Sequence, residues 1–184
     1  MMNIPDGLNL SSKYLHIVSF NIPYPPDYGG IIDVYYKLLN LSEAGIKIIL
    51  HCFGYGRQPS KELENICFKV YYYPRKSGLK YYFRNIPYII STRTSNIMPD
   101  HLLNDSFPVI FEGLHTTEWM IKCKQANKKV LFRAHNIEHD YYRYLANSDQ
   151  HIFRKIFFLS ESIKLKKYEK MLKHADHILL SLIH

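Results

Sequence analysis

A chain of 184 residues, 47% of them hydrophobic and 22% charged, has the size and composition of one globular domain and is too apolar for a disordered protein. No apolar run approaches the length of about 18 residues that spans a bilayer, and residues 1–12 lack the basic start and apolar stretch of a secretory signal. Three widely spaced cysteines without a C-x-x-C pair argue against a disulfide framework and predict a cytoplasmic protein.

The 24 Lys and Arg residues outnumber the 16 acidic residues, which gives a formal net charge of +8, and the excess is clustered. Between Asn65 and Pro99 the sequence has six basic residues and no acidic one. A second basic cluster runs from Arg154 to Lys173 and contains only two acids. Basic surfaces of this kind attract the phosphate groups of nucleic acids, lipids or nucleotides, although a plain solvated face fits the same pattern.

The chain opens with a strand–helix–strand unit. Residues 14–20 form a short β-rich run that leads into a turn rich in proline and glycine. Apolar residues then recur at helical spacing from Ile31 to Leu39, and Gly45 is placed to end that helix. Residues 46–53 are almost wholly apolar, which is typical of a strand covered on both faces.

The same alternation continues along the chain. Strands are predicted at residues 67–73, 107–112, 129–133 and 177–181, and helices at 116–127, 137–146 and 152–174. This pattern predicts an α/β fold with a Rossmann-like, doubly wound, largely parallel sheet and helices on both faces. We expect residues 1–12 to be an N-terminal tail and residues 13–184 one domain. Because the last predicted strand reaches the end of the sequence, we also expect a further domain to follow it.

Gly29 and Gly30 form the first candidate site, at the junction of the first strand and the first helix. A helix N-terminus offers unpaired N–H groups, and glycine lets a phosphate approach them closely. The alternative is a tight turn that needs glycine for a positive φ. A dinucleotide site is disfavoured, because G-x-G-x-x-G is absent and the second strand ends without an acidic residue.

The second candidate site lies at residues 133–142, across a predicted strand end and helix start. Arg133, His135 and Glu138 fall where an α/β sheet has its ligand-binding edge, and Asn136 is the expected N-cap. His135 to His139 also fits the zinc-protease pattern H-x-x-E-H, but that motif needs both histidines one turn apart on a single helix, so no metal is expected. A polar cap on a surface helix is the alternative.

Glu112 and His115 form a third candidate site, because they follow the apolar strand residues Pro108 to Phe111. Parallel strands have their carboxyl ends at one edge of the sheet. Gly29, His115 and His135 are therefore predicted to lie close together.

Three segments resemble the glycosyltransferase family 4-like proteins. They are Pro-Tyr-Pro-Pro-Asp-Tyr-Gly-Gly at residues 23–30, Arg-Ala-His-Asn-Ile-Glu-His-Asp-Tyr-Tyr at 133–142 and Ala-Asp-His-Ile-Leu-Leu-Ser at 175–181. The resemblance implies one half of a GT-B fold, in which two Rossmann-like domains face each other across a cleft. This chain would be the N-terminal, acceptor-binding half of a retaining, metal-independent glycosyltransferase of bacterial cell-surface polysaccharide or glycolipid synthesis. The partner it implies is a C-terminal donor-binding domain with an E-x7-E motif, which this sequence lacks.

The resemblance also implies roles for the candidate residues. His135 matches a histidine that contacts the transferred sugar, and is the candidate catalytic residue. Gly29 and Gly30 match a loop that approaches the donor diphosphate, and Arg133 is assigned to the same donor site. The residues expected to bind the acceptor or support His135 are Tyr28, Glu112, His115, Asn136 and Glu138. A sugar nucleotide is the expected donor substrate, with no other cofactor.

Residues 71–84 combine Tyr and Phe with Lys and Arg. Many family members act on lipid-linked acceptors, so this segment is expected to bind an anionic membrane surface peripherally, at the inner face of the cell membrane. Aromatic packing beneath a crossover, with a solvated basic rim, is the alternative.

Other function classes fit parts of the pattern. A nucleotide-sugar epimerase has the same two-domain architecture, and a stand-alone or truncated binding module would bind an acceptor without transferring sugar. The net charge of +8 also raises nucleic-acid binding, but no nucleic-acid-binding motif accompanies it, so no nucleic acid is expected as a partner.

Overall fold

A computed structural model describes residues 14–180, which form an α/β fold around one six-stranded sheet. The strands are β1 (Tyr14–Ser19), β2 (Lys47–Gly54), β3 (Lys69–Pro74), β4 (Val109–Glu112), β5 (Val130–Ala134) and β6 (His177–Leu180). All are parallel, in the order β3-β2-β1-β4-β5-β6, which is the strand order of a Rossmann fold. The predicted fold class is confirmed, while the proposed tail at residues 1–12 lies outside the described residues.

The helices connect and cover these strands. They are α1 (Gly29–Glu43), α2 (Lys61–Ile66), α3 (Leu79–Tyr82), α4 (Tyr88–Ser91), α5 (Met98–Leu102), α6 (Met120–Gln125), α7 (Glu138–Ser148) and α8 (Ile152–Tyr168), with 3₁₀ helices at Leu114–Trp119 and Glu169–His174. Gly45 has a φ of 81° directly after the α1 C-cap, as predicted. Between residues 14 and 180 no helix is both long and apolar enough to cross a bilayer.

The sheet separates two hydrophobic cores, because successive side chains of each strand point to opposite faces. On one face, Ile17, Leu50 and Ile110 pack with Val34 and Leu38 of α1. The residues of the other core include Val18, Phe53, Phe111 and Phe132 from the strands, with Ile90, Leu102, Met120 and Leu165 from α4, α5, α6 and α8. Helices therefore cover both faces, as the doubly wound prediction requires.

Two predicted helices are not continuous α-helices. The helix expected at residues 116–127 is a 3₁₀ helix from Leu114 to Trp119 followed by α6. The long helix expected at 152–174 leaves α-geometry after Tyr168. Glu169 at that point binds the ring of His139, with Oε2 2.5 Å from Nδ1, instead of forming the i,i+4 pair with Lys173 that a continuous helix would offer.

The β6 strand lies at the edge of the sheet, beside β5. The strand predicted at residues 177–181 is confirmed from His177 to Leu180, and Ser181 lies outside the described residues. Its side chains are exposed, Leu180 to 72%, so this edge of the described domain carries apolar surface.

Candidate functional site

The strand order fixes where a ligand-binding crevice can form. Connections run from β1 towards β3 on one side and from β4 towards β6 on the other, so the chain changes direction between the adjacent strands β1 and β4. In open parallel sheets, ligands bind outside the carboxyl ends of the strands at this switch point. The side chains that follow β1, β4 and β5 are therefore the candidates for a site.

Phe20, which directly follows β1, brings the three predicted sites together. Its ring centroid lies 5.6 Å from that of His115 and 5.7 Å from that of His135. A Cβ atom on Gly30 would lie only 3.0 Å from Phe20 Cζ. Gly30, the segment after β4 and the segment after β5 thus meet around one aromatic ring. Gly29, the glycine named in the prediction, is next to Gly30 but does not approach this ring.

Glu112 is the buried centre of the polar cluster at this edge. Its side chain is fully buried at the end of β4, where it accepts hydrogen bonds from Lys37 of α1 and from Nε2 of His135 at 3.1 Å. Burial alone would raise the pKa of Glu112, but the hydrogen bond from His135 and the charge of Lys37 hold it below its ordinary value. Glu112 is therefore an ionised anchor that orients the imidazole of His135.

Arg133 lies beside this anchor and is held by α1. Its Nη1 is 2.6 Å from Asp33 Oδ2, and its Nη2 donates to Asp33 Oδ1 at 2.8 Å. Asp33 Oδ2 also lies 3.9 Å from His135 Nδ1. Asp33 and Lys37, one turn apart on α1, thus bind the side chains that project from β5 and β4.

Asp33, Glu112 and His135 place ligand-type atoms within 4.8 Å of one another, a spacing that a metal ion could bridge. Both carboxylates already have a cationic partner, Lys37 for Glu112 and Arg133 for Asp33. A divalent cation would have to compete with these two charges, so the cluster is better suited to stay metal-free. The expectation of no metal stays a prediction.

His115 and Glu138 form a second pair at the same edge. His115 Nδ1 lies 3.9 Å from Glu138 Oε1, and this buried nitrogen has no hydrogen-bond partner within residues 14–180. Burial lowers the pKa of His115 well below its ordinary value, with Arg93 and His135 adding to the effect. Burial raises the pKa of Glu138 to about 7, and Glu169 adds to it. The pair therefore holds a neutral imidazole beside a carboxyl group that titrates near neutral pH.

Gly113 sets the distance between the two histidines. It has a φ of 76°, and a Cβ atom there would lie 3.3 Å from His115 Nδ1 and 3.4 Å from His135 Cδ2. A larger residue would be strained and would press on both rings. Neither this role nor the contact of Phe20 was predicted from the sequence.

The remaining predicted residues lie at the rim. Tyr28 is the N-cap of α1 and 47% exposed, and its ring lies 5.2 Å from the Arg57 guanidinium carbon. Gly29 is exposed and has open space around its Cα. Neither Gly29 nor Gly30 has a positive φ, so the tight-turn interpretation is wrong; both lie in the first turn of a helix.

Two expectations for residues 135–139 have clear outcomes. Asn136 is exposed and is not the N-cap of α7, which is Ile137, because the chain stays extended for one residue more than expected. His135 binds Glu112, whereas His139 binds Glu169. The two histidines thus face different partners, in agreement with the rejection of the H-x-x-E-H zinc pattern.

Asp33 and Lys37 are site residues that sequence reasoning missed. The sequence does contain one signal for them, because Glu43 is the only other charged residue of α1. An i,i+4 pair of opposite charge on a helix usually stabilises its solvated face. Here the pair instead turns to the ends of β4 and β5, which only the packing of α1 on the sheet reveals.

Comparison with known proteins gives sequence similarity without a family assignment. No family model matches the chain, and no solved structure matches it significantly. The chain is similar to an uncharacterized 44.6 kDa protein in the cps region of Klebsiella pneumoniae, with 29% identity over 162 residues, 84% of this chain and 41% of the relative. It thus spans about two-fifths of the length of that relative. By these observations it is a Rossmann-like α/β protein similar to a protein of a bacterial cps region.

Proposed function

We propose that this chain is the acceptor-binding half of a retaining glycosyltransferase that uses a sugar-nucleotide donor. The observation that carries the proposal is the meeting of Gly30, His115 and His135 around Phe20, at the switch point of a Rossmann sheet. Nucleotide-dependent enzymes bind their substrates at this position of the fold. The similarity to a cps-region protein favours a role in bacterial cell-surface polysaccharide synthesis.

In this proposal His135 contacts the transferred sugar. Because ionised Glu112 can only accept a hydrogen bond, Nε2 of His135 is the donor, and in the neutral ring Nδ1 then presents a lone pair. This Nδ1 is buried and has no hydrogen-bond partner among the described residues. A sugar hydroxyl that donates to it would satisfy a group whose burial without a partner costs about 1–3 kcal/mol.

Departure of the diphosphate is the demanding step of the reaction. The bond between the anomeric carbon and the diphosphate oxygen breaks, and the acceptor hydroxyl attacks from the same face while its proton passes to the leaving oxygen. The N-terminus of α1 at Gly29 and Gly30 supplies N–H groups and a partial positive charge for the departing anion. No side-chain base is required in this scheme.

The proposal includes a donor-binding domain that faces this edge of the sheet. The matched region is 41% of the Klebsiella relative, which leaves room in that protein for a second domain of similar size. The first experiment therefore uses the protein expressed from its complete gene. It is incubated with a panel of sugar nucleotides and membranes of the source organism, and transfer of labelled sugar is measured.

Replacing His135 by alanine tests the assigned residue. We expect kcat to fall at least about ten-fold, because a contact to the reacting sugar is lost. His174→Ala, at an exposed position, is the matched control and should leave kcat unchanged. Wild-type turnover by His135→Ala would remove His135 from the site. Conversion of the sugar nucleotide without any acceptor would indicate an epimerase instead.

We also propose that the protein binds an anionic membrane surface. Only part of the segment predicted to do so, residues 71–84, is included in this proposal. Tyr71, Tyr72 and Tyr73 belong to β3 and pack inward: Tyr73 is buried, Tyr71 stacks on His101 with centroids 3.9 Å apart, and the Tyr72 hydroxyl bonds Ser60. These three tyrosines are therefore left out of the proposed membrane surface.

The exposed part of the segment joins α8 in an apolar surface. Leu79 is 76% exposed, Phe83 78% and Phe153, at the start of α8, 85%. A groove of about 490 Å³ lies between Leu79 and Phe153, and its other lining residues include Tyr82, Tyr88, Ile156 and Phe157. Lys80, Arg84 and Arg154 belong to the same segments, a combination suited to anionic lipid.

Vesicle sedimentation tests this surface. Binding of the protein to vesicles with anionic lipid should exceed binding to neutral vesicles, and the double change Leu79→Ser and Phe153→Ser should reduce it at least about five-fold, since two apolar anchors are lost. Ile163→Ser is the control, because Ile163 is 70% exposed on α8 but outside the groove. Equal sedimentation with both vesicle types would contradict the assignment.

A further inference from the structure

Arg93 is a buried guanidinium that has no carboxylate partner among the residues the structure describes. It follows α4 and is only 7% exposed. Nε donates to the Phe20 carbonyl at 2.8 Å, and Nη1 donates to the Ile89 carbonyl at 2.8 Å. Within residues 14–180 no carboxylate oxygen lies within 4.0 Å of it. A buried charge of this kind is costly unless an opposite charge compensates it.

The position of Arg93 is the candidate site itself. The Phe20 carbonyl that it binds belongs to the residue whose ring contacts His115 and His135. Burial and the nearby Arg75 lower the pKa of Arg93 to about 9, so the guanidinium is still charged at neutral pH. It therefore places a fixed positive charge at the carboxyl end of β1.

Arg75 supplies a second guanidinium at this edge. It follows β3, and its guanidinium lies over the ring of Tyr55, 4.0 Å from the centroid. Lys76, the next residue, donates to Thr94 Oγ1 at 3.0 Å, and its backbone N–H donates to the Thr92 carbonyl at 2.8 Å. The segment after β3 is thus fastened to the turn that carries Arg93.

The acidic groups nearby do not balance these charges. Glu138 is the carboxyl group whose charge acts on Arg93, and its own pKa, raised by burial to about 7, leaves it partly neutral. The carboxylates of Asp33 and Glu112 are already paired with Arg133 and Lys37. The charges of Arg75 and Arg93 both act on His115, so the group of three side chains is net positive. His115 Nδ1 lacks a hydrogen-bond partner among the described residues.

We propose that Arg93, Arg75 and His115 form a subsite for a phosphate group carried by the acceptor. The planar guanidinium group matches phosphate oxygens geometrically, and a doubly charged phosphate would compensate the two arginines. This inference rests on the proposed function, since it names the acceptor class as a phosphorylated one, such as a lipid-linked phosphate or diphosphate. The donor diphosphate is instead assigned to the N-terminus of α1.

Titration calorimetry of the chain with citronellyl diphosphate, uridine diphosphate and inorganic phosphate tests the subsite. We expect the isoprenyl diphosphate to bind and Arg75→Gln to raise its Kd at least about ten-fold, as expected for loss of a charge-assisted contact. Arg75 holds no backbone group by its side chain in the described residues, so this variant should fold normally. Arg143→Gln, an exposed change on α7, is the matched control and should keep the wild-type Kd.

Arg93→Lys gives an independent readout. Lysine keeps the positive charge but cannot form the paired hydrogen bonds that a guanidinium makes to phosphate. We therefore expect the Kd for citronellyl diphosphate to rise although the charge of the protein is unchanged. The NMR titration of His115 should show a higher pKa in the presence of citronellyl diphosphate, because an adjacent anion favours the imidazolium. An unchanged Kd in Arg75→Gln, or an unchanged His115 titration, would overturn the subsite.

Two results separate this inference from the proposed function. If uridine diphosphate binding depends on Arg75 and isoprenyl diphosphate binding does not, the arginines serve the donor and the acceptor assignment is overturned. If the complete protein transfers sugar equally well with wild-type Arg75 and with Arg75→Gln, the glycosyltransferase proposal stands and the phosphate subsite fails. Phosphate binding that depends on Arg75, in a protein that transfers no sugar, supports the subsite and contradicts the proposed function.

Discussion

Glu138 is a carboxyl group held where charge is unfavourable. It is 4% exposed, its pKa is raised to about 7 from an ordinary value of 4.5, and its nearest basic side chain, His115, is kept neutral by burial. Because the folded protein binds a proton here more tightly than the unfolded chain does, Glu138 contributes stability below pH 4.5 that is lost as the pH rises through about 7.

Replacing Glu138 by glutamine should remove this dependence. We expect the substitution to stabilise the protein at pH 8.5, relative to its effect at pH 5, by about 1–3 kcal/mol. The measurement is urea unfolding of both proteins at both pH values. Glu43→Gln, at the exposed end of α1, is the control and should show no such difference. An equal effect of Glu138→Gln at both pH values would contradict the burial argument.

At the level of single residues, the sequence predicted those candidate site residues that come directly after a strand. Glu112, His115 and His135 were found in this way, because the carboxyl ends of parallel strands share an edge. Asp33, Lys37 and Arg93 were not found, since they reach the same edge from helices or turns far away in the chain. Whether these side chains point into the site depends on how their helices and turns pack on the sheet.

The start of α1 shows how one element is fitted to the site. Gly29 and Gly30 occupy its first turn, and their surroundings differ: a Cβ atom on Gly29 would meet nothing within 4 Å, whereas one on Gly30 would lie 3.0 Å from Phe20. Phe20 itself is in contact with His115 and His135. The first turn of α1 can therefore pack against Phe20, and through it near the two histidines, because residue 30 has no side chain.

The two glycines provide a matched pair of substitutions. Gly29→Ala should stabilise the protein by about 0.5 kcal/mol, because alanine restricts the unfolded chain and fits the helix. Gly30→Ala should be less stable than Gly29→Ala by about 1 kcal/mol, since its methyl group displaces Phe20. Urea unfolding followed by circular dichroism measures both. If Gly30→Ala were equally or more stable, the close approach of Phe20 would not constrain the helix.

Helix existence was predictable from apolar periodicity, as α1 and α8 show, but helix ends were not. The α8 helix ends at Tyr168, and the next side chain, Glu169, binds His139 of α7, 30 residues earlier. The aromatic residues at 71–84 likewise divide between a buried strand and an exposed surface. Local sequence carries the propensity of each segment, whereas the end of a helix depends on a partner elsewhere in the chain.

Across the whole molecule, a chain of polar side chains links three strands, the helix α5 and the loop that follows it. His16 Nδ1 lies 2.9 Å from His51 Nε2, and His51 Nδ1 lies 2.9 Å from the Tyr73 hydroxyl. The chain ends at His101, 3.1 Å from Tyr73, and at Asp105, 3.0 Å from His16. Burial lowers the pKa of both His16 and His51 below 6.5, although Asp105 acts in the opposite direction on His16.

This chain should make the fold sensitive to acid. Below pH 6.5 the unfolded protein binds protons that folded His16 and His51 exclude, so their contribution to stability is lost as the pH falls. In His51→Phe the loss of stability between pH 8 and pH 5.5 should be smaller than in the wild type by about 1 kcal/mol. His174→Phe, at an exposed position, is the control. An unchanged pH dependence in His51→Phe would show that His51 titrates normally in the folded protein.

The sequence by itself determined the fold class and the edge of the sheet where polar groups gather. Both follow from local information: apolar periodicity defines strands and helices, their alternation requires parallel strands, and parallel strands place their carboxyl ends together. The tertiary structure alone decided the partners of those groups, such as Lys37 for Glu112, Asp33 for Arg133 and the Phe20 carbonyl for Arg93. The physical reason is that burial and ion pairing depend on how α1 and the turn after α4 pack on the sheet, which involves contacts between residues 73 to 100 positions apart.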